Sequence, residues 1–191
     1  MHTKLTMKFS EYIETWTGSL KECFSQGLHK SIIDELELNE EAFMKYSMEL
    51  AMITLVIGMR MWMKSKISAD IKDMVREAVA DSFYREVFSA KNDNAFISTC
   101  KDFFNEHYHS FYELCPHIDG KNKEKQQREL IGMARYLCAQ VSNKTEEQNT
   151  AVFEKLTLVF IHILTLSEIL TRNSSLDIQF PIGKPKFIVQ K

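Results

Sequence analysis

The residues best equipped for chemistry fall in one stretch, Asn105 to His117, which reads NEHYHSFYELCPH. On a helix turning ~100° per residue, His107 and His109 stand about 200° apart and cannot share one metal ion. His109 lies on the polar side with Asp102, Glu106 and Glu113. Glu106 and His109 form an E-x-x-H, a spacing that di-iron bundles use twice, together with two further glutamates. The chain offers no second copy, so Glu106 and His109 are weak metal candidates and read better as part of a solvated helix face. His107 falls in the apolar stripe, where a histidine bonded to a carbonyl or hydroxyl is the ordinary core state. The rings around it, among them Phe88, Phe96, Phe103, Phe104, Tyr108, Phe111 and Tyr112, are dense enough to wall a flat ligand such as haem, with His107 as axial ligand. At helical spacing such rings belong more simply to a core, and no cofactor is expected.

Other chemistries lack their usual marks. There is no glycine-rich phosphate loop and no nucleophile elbow, and no Ser, Cys or Lys stands beside an obvious base. Cys23, Cys100, Cys115 and Cys138 form no CxxC pair and match no zinc template, so they read as reduced thiols acting as small hydrophobes. With 24 basic and 26 acidic side chains and a net charge of -2, nothing draws the chain generally to nucleic acid or anionic membrane. The segment Ser31 to Tyr46 has the cadence of a helix-turn-helix, with Ile32, Leu36, Leu38 and Phe43 as core positions. Its reading helix would open with Asn39, Glu40 and Glu41, whose carboxylates repel phosphates. Glu37 occupies a turn position that favours glycine. A transcriptional regulator using residues 31–46 is therefore the competing reading, not the favoured one.

The element around which these groups must be arranged is Tyr46 to Met63, YSMELAMITLVIGMRMWM. On a helical wheel Lys45, Glu49 and Arg60 share one narrow stripe, with Ile53 and Val56 between them. Ser47, Ala51, Thr54 and Gly58 form a small-residue seam on the opposite side, able to admit another helix backbone. Met48, Met52, Leu55, Met59 and Met63 make a third side. A helix apolar on nearly every side is buried. Only ten uncharged residues separate Glu49 from Arg60, against roughly 20 for a membrane span, so a core helix is predicted and no span. Glu49 and Arg60 sit about 16 Å apart along the axis and read as separate solvated charges.

Asn39 should cap this helix, with Glu40 and Glu41 in its first turn. Before it, Ser10 is the predicted cap of a helix with the stripe Phe9, Ile13, Trp16, Leu20 and Phe24, ended near Gly27, and a short helix spans Lys30 to Leu36. After it come stripes from Ile71 to Val87, capped by Ser68, and from Phe96 to Phe111. The polar segment His117 to Arg128 reads as a solvated connection running into a helix with the stripe Leu130, Ile131, Ala134, Leu137, Cys138 and Val141. Thr145 and Gln148 form a capping box for a last helix near Glu146 to Arg172. Its narrow polar face holds Glu154, Thr165, Glu168 and Arg172, with Ile161 among them, and it should pack on the central helix.

From Ser174 the pattern alternates, and Pro181 and Pro185 forbid helix. The predicted architecture is an all-α single-domain helical bundle of five long helices and one short helix over residues 1–173, with an extended C-terminal arm over residues 174–191. The arm carries Ile178, Phe180, Ile182, Phe187 and Val189, which need cover from the chain's own helices or from a second copy, and a homodimer through them is expected. The start MHTKLTMKFSEY contains no apolar run of signal-peptide length, so a cytoplasmic location is expected. The function expected is that of a non-enzymatic cytosolic regulatory or interaction protein with a protein partner. Between the central helix, the His107 helix and the last helix the side chains either simply interlock, the simpler reading for a densely packed helical core, or enclose a pocket for an apolar small molecule. Met48, Met52, Met59 and Met63 would be its adaptable walls, Phe103, Phe104 and Phe111 its flat ones, and Arg60 and His107 its polar anchors.

Overall fold

The computed structural model describes residues 5–25, 27–63, 68–88, 94–114, 122–142, 144–145, 147–172 and 176–179. A short strand, β1 (Leu5–Lys8), runs directly into α1 (Phe9–Ser25). Ser10 therefore lies inside the helix rather than capping it; the Glu11 carboxylate accepts from the Lys8 N–H at 3.0 Å instead. Next come α2 (Gly27–Leu36), α3 (Glu40–Met63), α4 (Ala69–Val87), α5 (Asn94–Leu114), α6 (Lys123–Val141) and α7 (Thr150–Arg172), then β2 (Leu176–Gln179). The long helices thus number six, one more than expected, beside the short α2. The segment expected as a solvated connection already contains the first turns of α6, because Asn122 caps it by accepting from the Lys125 N–H at 3.1 Å.

Local chemistry sets the other helix ends. Glu37 ends α2 with φ 55, and its N–H reaches the Ile33 carbonyl at 3.1 Å. That left-handed turn is the glycine-favouring position read from the sequence. Asn39 caps α3 through the Ala42 N–H at 2.8 Å. The Thr145–Gln148 bonds are formed in both directions, Thr145 N–H donating to Gln148 Oε1 at 2.8 Å and Gln148 N–H to Thr145 Oγ1 at 3.4 Å, but they close a turn ahead of α7, which begins at Thr150 rather than near Glu146, with the Phe153 N–H on the Asn149 carbonyl at 2.9 Å. Ser68 precedes α4 without a side-chain capping bond.

The core is built around α3, which packs against α7, α6, α5, α1 and α4, while α1 also packs on α4 and α7 on α1 and α2. From Glu49 to Arg60 every residue of α3 is buried. Ala51, Thr54 and Gly58 are all buried, as their seam implied. A Cβ added to Gly58 would lie 2.7 Å from Leu20 Cδ2 of α1. Ser167 of α7 donates its hydroxyl to the Gly58 carbonyl. Small residues here let two helices close on α3 at the same level.

Both α3 (Glu40–Arg60) and α7 (Thr150–Leu170) are long and apolar enough to cross a membrane by length and composition. Most of that stretch of α3 is enclosed by other helices, and half of that of α7 is. The outer face of α7 exposes Leu158, Ile161 and Ile169, so it is more apolar than the Glu154–Arg172 stripe suggested.

The extended arm begins as expected, but part of its cover comes from the other end of the chain. β2 pairs in parallel with β1, Leu5 opposite Leu176 and Lys8 opposite Gln179. Ile178 lies in β2 opposite Met7; Phe180, Ile182, Phe187 and Val189 lie outside the described residues.

Candidate functional site

α3 carries two charged side chains into the interior, and both face α5. Arg60 is only 3% exposed. Its Nη1 donates to the Tyr112 carbonyl at 2.6 Å, and its guanidinium carbon lies 3.7 Å from the centre of the Tyr112 ring. α5 ends at Leu114, so the Tyr112 carbonyl is one of the last four, which lack a partner within the helix. Arg60 therefore caps α5 and complements the negative end of its dipole. The sequence reading of Arg60 as a solvated charge is corrected: the cation is buried because its hydrogen bond and the ring face replace water.

Glu49 is 6% exposed, again against the expectation of a solvated charge, but its surroundings differ. Its Oε2 is buried with no hydrogen-bond partner. The nearest cation on its own helix, Lys45, donates instead to Gln140 Oε1 of α6 at 3.1 Å. Burial raises the Glu49 carboxyl above its ordinary 4.5, and the positive fields of Lys45 and His107 pull it partly back. Tyr136 of α6 is raised as well, by burial first and then by the negative charge of Glu49. Glu49 thus stands within electrostatic reach of both α5 and α6 at the seam where they meet α3.

One ring pair stands on α5 and another joins α5 to α6. The His107 ring lies 4.5 Å from that of Phe103, and Tyr136 meets Phe111 edge to face at 5.1 Å, joining α6 to α5. His107 is not the enclosed core histidine expected: its side chain is 40% exposed. Phe103, Tyr136 and Met48 are likewise partly exposed, whereas Phe111 and Met52 are buried. The rim of the seam is consequently aromatic and reachable, and its floor is apolar.

The nine residues grouped in one pocket by sequence fall into separate places. Met48, Met52, Phe103, His107 and Phe111 belong to the Glu49 end of the α3–α5 seam. Arg60 marks the other end, where Met59 is buried and Met63 half-buried. Phe104 turns to α4, packing on Tyr84 at 6.1 Å and on Tyr108 at 4.9 Å. There it lines a depression of about 250 Å³ with Ala80, Asp81 and Lys101. α5 packs chiefly on α3 and α4, and α7 on α3, α6, α1 and α2, so α3 stands between α5 and the last helix.

No family model matches the chain, and neither curated proteins nor solved structures include a match.

The remaining candidates are placed as follows. Glu106 and His109 are both exposed on α5, and the carboxylate of Glu106 lies 3.9 Å from His107 Nε2. Among the described residues no three of His, Cys, Asp and Glu converge as a metal set. Cys23, Cys100 and Cys138 are buried reduced thiols. Burial pushes their thiols up to about 11, about 11 and about 12, so they are protonated and weakly nucleophilic at neutral pH. Cys115 lies outside the described residues. Sequence reasoning missed Glu49 and Tyr136 as site residues. Glu49 had one available signal: it is a carboxylate inside a helix apolar on nearly every side.

Proposed function

We propose that this is a non-enzymatic binding protein, regulatory in role, that takes a small, largely apolar molecule at the seam of α3, α5 and α6. The observation that carries the reading is Glu49. A buried polar atom left unpaired costs about 1–3 kcal/mol, and groups perturbed by burial beside specific charged partners cluster at functional sites. Here the unpaired oxygen belongs to a carboxylate within electrostatic reach of two partly exposed rings, His107 and Tyr136. Apolar walls with one or two polar groups are the usual make-up of a small-molecule site. Among the described residues, the protonated thiols and the solvent-exposed Glu106 and His109 give an enzymatic reading no support. A nucleic-acid role is disfavoured by exposed Glu40 and Glu41 at the start of α3.

Native mass spectrometry and organic extraction of protein purified from its own host test the reading. A small molecule that co-purifies and raises the melting temperature when added back to stripped protein is the expected result. A clean mass for the unliganded chain, with no thermal shift across alcohols, amines and fatty acids, would overturn it.

A further inference from the structure

If the seam takes a small molecule, the chemistry around Glu49 specifies which kind. When ionised the carboxylate can only accept, and its buried Oε2 accepts from nothing among the described residues. The charged and titratable groups facing it are Lys45 from α3, His107 from α5 and Tyr136 from α6. Lys45 is engaged with Gln140, and the His107 ring lies tilted against that of Phe103. The site therefore lacks one hydrogen-bond donor, best a cationic one, since a charge-assisted bond is stronger than a neutral one. Partly exposed rings on the neighbouring helices, Phe103 and Tyr136, would favour a cation over an anion. A carboxylate or phosphate headgroup would meet Glu49 as a like charge. Met48 and Met52 beside it offer the unbranched, adaptable surface that suits an alkyl chain.

We propose that Glu49, at the seam where α3 meets α5 and α6, is the binding site for an organic ammonium ligand with an apolar chain. The proposal rests on the small-molecule reading given above. Specificity follows from charge: the ammonium replaces the missing donor, while an alcohol of the same chain gains only the apolar contacts. Binding also follows pH. The ligand needs the ionised carboxylate, so affinity falls as pH drops through the raised range of Glu49 and is retained above it.

The test is calorimetric titration of the full chain with hexylammonium chloride, 1-hexanol and sodium hexanoate, which share a chain length and differ in head charge. Hexylammonium is expected to bind at least about tenfold more tightly than hexanol, a difference of roughly 1.4 kcal/mol, with hexanoate weakest. Glu49→Gln, checked for unchanged helical circular dichroism, should remove that preference. In the unsubstituted chain the preference should shrink on acidification, a readout independent of whether the variant folds. Equal binding of hexylammonium and hexanol, or tightest binding of hexanoate, would overturn the ammonium assignment and leave the seam as an apolar site. A preference for hexylammonium that survives Glu49→Gln would overturn Glu49 as its cause. Binding of none of the three would overturn both the assignment and the small-molecule reading.

Discussion

Arg60 and Tyr112 lock two helices together at a single point: the guanidinium donates to the Tyr112 carbonyl at 2.6 Å and covers the same residue's ring at 3.7 Å. One side chain of α3 thereby satisfies the end of α5, and the position of α5 in turn sets where Phe103, His107 and Phe111 meet the seam. Arg60→Met keeps much of the volume but leaves the carbonyl without this donor. It should destabilise the fold by about 1–3 kcal/mol in urea denaturation. A change within a few tenths would show that the contact contributes nothing net.

Gly58 allows α1 and α7 to approach α3 at one level. Gly58→Val puts a branched side chain where even a Cβ falls 2.7 Å from Leu20 Cδ2. Overpacking of this kind costs about 1–3 kcal/mol. Leu20→Ala alone should cost about 2–5 kcal/mol by leaving a cavity. In the double variant the valine should partly fill that cavity, so the two costs should sum to less than their separate values. Strict additivity in a denaturation cycle would place Leu20 away from Gly58.

Much of this arrangement is legible in the sequence because it depends on local pattern. The all-round apolar character of Tyr46–Met63 foretells a buried α3. Asn39 and Glu37 mark helix ends, and the Thr145–Gln148 pair a turn ahead of one, by bonds formed within three or four residues. Periodicity sorts residues onto faces but does not say which faces neighbours will cover. That is why Glu49 and Arg60, correctly placed on one stripe, read as solvated, and why His107, correctly placed on an apolar stripe, reads as enclosed. Phe104 lies only one residue from Phe103 but turns to α4, a choice made by tertiary packing. The pairing of Leu5–Lys8 with Leu176–Gln179 joins segments near opposite ends of the chain, and neither segment names its partner.

That pairing has its own consequence. A chain stopped after Asn173 loses β2, so β1 loses its hydrogen-bonded neighbour. Amide exchange at Leu5–Lys8 should quicken markedly, while exchange in α3 stays slow. Sedimentation of the same two chains tests self-association through the arm: a dimer that becomes monomeric on truncation would support it. Unchanged exchange at residues 5–8 would contradict the β1–β2 register.

The Glu49 carboxyl links stability to pH in an unusual direction. Its folded-state value is raised above 4.5, mainly by burial, so the folded chain holds that proton more tightly than the unfolded chain. Below about 4.5 both states are protonated and the group contributes no penalty. As pH climbs from there through the raised folded value, the charge must be carried in the seam and stability falls, then levels off. Glu49→Gln should remove this component, so the variant should gain on the unsubstituted chain across that window and stay more stable at pH 8, by on the order of 1 kcal/mol. Parallel urea curves at a series of pH values provide the comparison. A constant difference across the window would contradict the burial.

The most direct measurement is the titration of the Glu49 side-chain carboxyl itself, followed by carbon-13 NMR in the full chain with and without hexylammonium chloride. Without the amine the carboxyl should titrate above 4.5. With it, the midpoint should move down, because the bound cation favours the ionised form. A midpoint at the ordinary value that ignores the amine would mean that Glu49 is neither enclosed nor a ligand site.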